Sequence, residues 1–422
     1  MQDIWEQMSD VLRIQEDEAI RFLVDLVKTD TQVLGHGIKG GHEGAGQKLI
    51  CSRLKALGIE PDVFEPEEDK LRPFGQGNEG HNYNGRPNVV ATFNGSGGGR
   101  SLILNGHVDT MPAGDITAWP YPPWGGKVVD GRLYGVGASD MKAGLAGLLM
   151  AMEAIKKAGI TLKGDVIFQS VVDEEGGGNG TLAAIAAGYR ADGAVIAEPT
   201  DLAVYTAHMG FIFYHIKVKG KSLHSSRKWD GVSAIEKAIK LITALEQLEH
   251  RWILTERHPL LPGPSINIGE IYGGEAGSTV PSWCEFKLCL HYLPGPDAAQ
   301  KTEADVRRAI NDCCQGDPWL RENPPEIIKY QEGSPFEISS EEPLVQTALA
   351  AVQAEKEVAT LAGMPAGCDA RYFTNLAQIP CVIVGPGEPG QAHSIGESIL
   401  LADYLQFIRA MVRFITTWCG YD

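Results

Sequence analysis

The feature that most constrains this chain is a series of short, apolar, β-branched runs, each closing on a turn: Asn88 to Phe93, Ser101 to Leu104, Val166 to Val172, Ala194 to Ala197 and Cys381 to Val384. These runs do not alternate with polar residues, so the strands they predict must be buried on both faces. Between them, apolar residues recur at helical spacing over Trp5 to Asp30, Gly46 to Leu57, Ala143 to Lys157 and Thr181 to Ala187. Strands and helices in this alternation predict a doubly wound α/β layer, a mostly parallel sheet flanked by helices. Glycine supplies 50 of the 422 residues, enough for a tight turn at many strand and helix ends.

Near residue 206 the pattern changes. Phe211 to Lys219 alternates polar and apolar residues, the period of a strand with one covered face. Next come a helix over Gly231 to Leu248, strands at Ser265 to Ile271 and Trp283 to Tyr292, and a helix over Asp297 to Asp312. That order predicts a small α+β sandwich inserted into the first layer. The expected division is 1–205 and 323–422 for one discontinuous domain and 206–322 for the insertion.

The net charge of −17 argues against nucleic acid or an anionic membrane surface as partner, because phosphate-binding surfaces need an excess of Lys and Arg. The longest apolar-plus-glycine run, Ala143 to Met152, is too short to span a bilayer, and Met1 to Glu18 does not read as a signal peptide. Eight scattered cysteines without a CxxC pair are expected to be reduced thiols of a cytoplasmic protein.

The residues just beyond each strand run carry the chemistry. Leu102 to Leu104 leads into Asn105-Gly106-His107-Val108-Asp109, Val166 to Val172 into Asp173-Glu174-Glu175, Ala194 to Ala197 into Glu198, and Cys381 to Val384 into a Gly/Pro loop that reaches His393. Asp140 is expected at the start of the helix beginning at Met141. In open α/β sheets ligands bind beyond the carboxyl ends of the strands, so these residues should share one crevice. So many carboxylates in a partly dry cleft require a positive partner, and no Lys or Arg in these motifs is evidently placed to supply it. Imidazole and carboxylate donors without thiolate suit zinc, cobalt or manganese. Taken singly, His107 reads as a structural histidine, Asp140 as a helix cap and Glu174-Glu175 as a solvated turn; their joint position at element ends favours a shared metal site.

Gly106-His107-Val108-Asp109-Thr110, Gly135 to Gly144, Asp173-Glu174-Glu175 and Ala197-Glu198-Pro199 together resemble the motifs of the dizinc aminoacylase, acetylornithine deacetylase, succinyl-diaminopimelate desuccinylase and carboxypeptidase G family. The resemblance spans nearly the whole chain and implies a zinc-peptidase-like α/β fold with an inserted dimerisation or lid domain. It implies one zinc on His107 and Glu198, a second on Glu175 and His393, and Asp140 bridging them, with cobalt or manganese as possible substitutes. Glu174 would be the general base that deprotonates the attacking water, and Asp109 would accept a hydrogen bond from the free ring nitrogen of His107. His224, in Gly220 to Ser225, would stabilise the oxyanion, in many relatives from across a homodimer.

The chain also departs from that family. Thr279 stands where Asn is usual and His291 where Arg is usual, so contacts to the substrate should differ. Arg371 resembles an arginine of the desuccinylase branch and is expected to clamp a carboxylate. The expected activity is removal of an N-acyl group from a small amino-acid-like substrate. A dipeptidase or carboxypeptidase, a formyl-amine deformylase, and a noncatalytic binding protein are the alternatives. Gly385 to Gly390 fits GxGxxG, but Pro386 and Pro389 oppose the turn a dinucleotide site needs.

Overall fold

The structure, a computed structural model, describes residues 2–422, with side chains from residue 5 onward. The chain forms two compact units: residues up to 206, 338–362 and 368–422 make the first, and 207–337 with 363–367 the second.

In the first unit the apolar runs form the centre of a mixed sheet, as their lack of polar alternation requires. Val166–Val171, Leu102–His107, Ala194–Ile196 and Cys381–Ile383 lie side by side in that order, all parallel. Antiparallel strands flank them: Asn88–Phe93 pairs with Val166–Val171, and Val204–His208 meets Ile383 through Tyr205. Helix Ala143–Lys157 is buried from Ala143 to Ile155 and packs against helices Gln2–Val27 and Leu401–Cys419. Gly147 makes the second contact possible, since a Cβ there would lie 2.6 Å from Phe407 Cδ1. The expected α/β layer with a mostly parallel core is therefore borne out. A small sheet of Lys127–Val129, Arg132–Tyr134 and Ser398–Leu400 was not foreseen. Its hairpin turns at Asp130-Gly131, both at positive φ, as a two-residue turn of this kind demands.

The second unit is a four-stranded antiparallel sheet in the order Ser265–Gly273, Trp283–Tyr292, Gly210–Lys219, Glu326–Gly333. Alternation decides its faces. Ile212, Tyr214, Ile216 and Val218 join Phe286, Leu288 and Leu290 in a core covered by helices Ala234–Thr255 and Ala298–Gln315. The fourth strand corrects the expected boundary at 322. Glu326–Gly333 pairs with Gly210–Lys219 and belongs to this unit, which continues to Glu337. It reads poorly in sequence because its register slips between Lys329 and Gln331, which interrupts the two-residue period.

Asp317 ties the two halves of this unit together. Its carboxylate accepts the Trp319 and Leu320 N–H groups at 3.0 and 3.1 Å and pairs with Lys237 and Lys240, each at 2.7 Å. Burial alone would raise its pKa, but the two ammonium groups and the Leu320 N–H outweigh burial and hold it well below the usual carboxylate range. Asp317→Ala is expected to cost about 2 kcal/mol, through the lost cap and the unpaired Lys237. Because the folded pKa is depressed, this contribution is present above the ordinary Asp value of ~3.9 and is lost as pH falls below it. Thermal unfolding of the variant at neutral and acid pH checks both statements.

Candidate functional site

Three parallel strands end on the same side of the sheet, and the site is built on their ends. Leu102–His107 finishes on His107, while Val166–Val171 and Ala194–Ile196 finish just before Glu174-Glu175 and Glu198. Asp140 joins them from the bent segment Ala138–Lys142 that precedes helix Ala143–Lys157, rather than from the first turn of a helix starting at Met141. Gly144 allows this approach. A Cβ there would lie 1.9 Å from the Ala197 carbonyl oxygen, so only glycine lets the helix begin against the turn bearing Glu198.

His107 is buried, and its Nδ1 lies 2.9 Å from the Asp109 carbonyl oxygen, a contact that places the ring proton on Nδ1. The Nε2 lone pair then faces Asp140 Oδ1 at 3.2 Å and Glu198 Oε1 at 3.8 Å. Lone pairs facing carboxylates repel unless a proton or a metal ion lies between them. On the far side of Asp140, its Oδ2 lies 3.6 Å from His393 Nε2, which is 2.8 Å from Glu175 Oε2. The two oxygens of Asp140 thus face two different imidazoles. Ligand atoms of His107, Glu174 and Glu198 lie within 4.8 Å of one another, as do those of His107, Asp140 and Glu175. This donor set, imidazole and carboxylate without thiolate, fits hard or borderline divalent ions.

The electrostatics express the same crowding. Burial, then the charges of Asp369 and Glu198, push Glu174 well above the usual carboxylate range. Burial pushes Glu198 up to about 7, although His107 pulls the other way. Hydrogen bonding to Glu175 raises His393 to about 9. For His107, burial opposes the charge, but Asp140 and Glu198 outweigh it and raise its pKa well above the ordinary value. Asp140 moves down: burial would raise it, and His107 and His393 more than compensate.

Around these groups the structure revises three expectations. The Asp109 carboxylate is 3.7 Å from His107 Nδ1 and is not its acceptor; the carbonyl is. That carboxylate instead accepts the N–H groups of Glu174 and Glu175 at 3.3 and 3.0 Å, fixing the turn that carries them. Arg371 is buried, and its guanidinium donates to the Cys368 and Gly177 carbonyls at 2.7 and 3.0 Å. Those donors brace the loop behind Glu175, a structural engagement that the sequence did not foresee. A cation does lie near the motifs: Lys142 is fully buried, donates to the Thr29 carbonyl at 2.8 Å, and is pushed down to about 7 by burial.

Glu397 was not singled out in sequence. Its carboxylate accepts the N–H groups of Gly137, Ser139 and Asp140 at 2.8, 2.7 and 2.9 Å and so holds the Asp140 segment in place. Only its position four residues after His393 hinted at it. His224, Thr279 and His291 belong to the second unit. There His224 and Thr279 form a bridge, and His291 lies on the strand Trp283–Tyr292, on the face away from the helices. His224 is exposed, and its Nδ1 accepts the Ser226 N–H at 3.2 Å, which leaves the proton on Nε2, available to a negative oxygen.

Comparison with known proteins places this arrangement. The model of peptidase family M20/M25/M40 matches residues 103–417. The N-formyl-4-amino-5-aminomethyl-2-methylpyrimidine deformylase of Bacillus subtilis is 32% identical over 362 residues, covering 80% of this chain and 84% of that protein. An acetylornithine deacetylase of Vibrio cholerae is 29% identical over 342 residues, covering 79% of this chain and 85% of the relative. Among solved structures, a tripeptidase of Staphylococcus aureus superposes with a TM-score of 0.75 at 23% identity, covering 96% of this chain and 98% of that one. A di-peptidase of Saccharomyces cerevisiae gives a TM-score of 0.76 at 14% identity, with 98% of each chain covered.

Proposed function

This chain belongs to peptidase family M20/M25/M40, a family of metal-dependent hydrolases acting on amides, and we propose that it removes a small acyl group from an amine by water attack on the amide carbonyl. The observation that carries this reading is Asp140 set between two imidazoles, with Glu174, Glu175 and Glu198 crowding the same space.

In this reading His107 and Glu198 would hold one divalent ion, zinc or in its place cobalt or manganese, Glu175 and His393 would hold a second, and Asp140 would serve both. Bound there, such ions lower the pKa of water and polarise a carbonyl. Glu174 does the proton work: its carboxylate takes a proton from the attacking water and delivers it to the departing amine nitrogen. On the family resemblance, His224 Nε2–H would donate to the developing oxyanion, and Thr279, its bridge partner, and His291 would shape the substrate side.

Arg371 bears on the choice of substrate. With its fork given to backbone carbonyls, it offers no support for an amine that carries a carboxylate. The similarity to a formyl-aminopyrimidine deformylase supports an acylated amine without one, so a formamide of an aminomethyl heteroaromatic is the first substrate to test. N-acetylornithine is the second. The cobalt-loaded protein should release amine from the formamide at least tenfold faster than from N-acetylornithine or a dipeptide, read by an amine-reactive assay. A dipeptide turned over fastest would favour the peptidase reading, and hydrolysis of none of the three would overturn the proposal. A homodimer through the inserted unit rests on the family resemblance, and a cytoplasmic location on the scattered cysteine spacing of the sequence.

A further inference from the structure

A buried ion cluster lies directly behind the turn that carries Glu174 and Glu175, and it takes no direct part in the proposed hydrolysis. Arg86, Glu43 and Asp173 are each fully buried. Arg86 Nε donates to both Glu43 carboxylate oxygens at 2.9 Å, and Nη2 reaches Glu43 Oε1 at 2.5 Å and Asp173 Oδ1 at 2.9 Å. Asp173 Oδ2 accepts the Tyr83 hydroxyl at 2.6 Å and lies 2.8 Å from His81 Nδ1. A guanidinium that faces two carboxylates with its planar fork fixes their directions as well as their charge.

What this holds is the backbone of the catalytic turn. Asp173 has φ +64°, in the left-handed region that aspartate adopts in tight turns more readily than most non-glycine residues. Its own carbonyl accepts the Gly178 N–H at 2.8 Å, closing the turn over Glu174 and Glu175. Gly37 and Gly176 pack so closely that a Cβ on either would lie 2.2 or 2.3 Å from Asp173 Oδ1. From the opposite side Asp109 holds the Glu174 and Glu175 N–H groups. The turn is therefore gripped in front by Asp109 and behind by Asp173. Adjacent side chains must diverge from it, Glu174 toward His107 and Glu198, and Glu175 toward His393 and Asp140.

We propose that Arg86, acting through Asp173, is a positioning residue that sets the divergence of Glu174 and Glu175, so that the metal affinity of the site depends on a guanidinium that touches neither carboxylate. This rests on the metal-site reading of the proposed function. Lysine at position 86 keeps the charge but has a single donor head that cannot hold Glu43 and Asp173 in one plane.

The test is titration of the metal-free, full-length protein with Co2+, followed by calorimetry and by the visible absorption of the bound ion, in wild type, Arg86→Lys and Tyr83→Phe. Tyr83→Phe removes one donor to Asp173 without changing any charge, and it carries the test if Arg86→Lys does not fold. The expected result is a loss of Co2+ affinity of roughly 10- to 100-fold in Arg86→Lys, the range usual for partners one shell beyond a ligand, with a smaller loss in Tyr83→Phe and altered cobalt absorption bands in both. Affinity within twofold of wild type in the folded variants would overturn the proposal. So would a loss that only follows the unfolded fraction and disappears on cooling. If the wild type takes up no Co2+, the metal-site reading falls and takes this one with it; equal uptake by wild type and Arg86→Lys removes the positioning role alone.

Discussion

Glu174→Gln is expected to fold and to bind divalent metal as the wild type does, while turnover falls by roughly 10²- to 10⁴-fold, the usual contribution of a positioned general base. Gln keeps the size and one acceptor oxygen of Glu but cannot carry a proton between water and amine. The same substitution has a second, opposite consequence. Burial, Asp369 and Glu198 hold the Glu174 pKa well above 4.5, so the ionised side chain opposes folding in the metal-free protein. A raised folded pKa means that the favourable contribution is complete below the unfolded value and is lost as pH rises. The metal-free variant should therefore melt at a higher temperature than metal-free wild type at neutral pH, and the gap should close toward pH 4. Elemental analysis, kcat and thermal midpoints on one preparation check all three statements. Near-normal turnover would remove Glu174 from the role of base.

Fold and site were legible in the sequence to different depths, for a physical reason. Strands buried on both faces write themselves as unbroken apolar runs, so the parallel core and the residues at its ends could be read directly. His107, Asp140, Glu175, Glu198 and His393 were placed by that logic, and the structure brings them into one cluster. What was not legible depends on side-chain direction. Arg371 looks in sequence like a free clamp, because nothing there shows that the Cys368 and Gly177 carbonyls lie within reach of its fork. Asp109 lies two residues from His107, a spacing that suits either its carboxylate or its carbonyl as the ring's acceptor, and the backbone took that place. Glu397, Arg86 and Asp173 join segments from 43 to 397, and no local pattern records such pairings. The fourth strand of the second unit escaped because a register slip breaks its period.

Divalent metal should bind with the release of protons, and its affinity should rise steeply between pH 5.5 and 8. In the metal-free protein protons occupy places that ions would take: burial holds Glu198 protonated up to about 7, and Glu175 holds His393 protonated up to about 9. Both folded pKa values exceed the ordinary ones of 4.5 and 6.5. The stability these groups supply is therefore full below their ordinary values and is lost as pH rises through 7 and then 9. Metal-free protein should lose thermal stability across that window, whereas metal-loaded protein should not, because the cation replaces the missing protons. Each proton displaced makes affinity change tenfold per pH unit below that group's pKa, so two such groups give roughly a hundredfold change per unit below pH 7. At a metal concentration of 100 times Kd the stabilisation is about 2.7 kcal/mol. The rise in melting temperature on adding Co2+ should accordingly be larger at pH 8 than at pH 5.5. Calorimetry in two buffers of different ionisation enthalpy counts the protons directly; binding with no proton release, or with affinity flat from pH 5.5 to 8, would mean that the ions sit elsewhere than on Glu198 and His393.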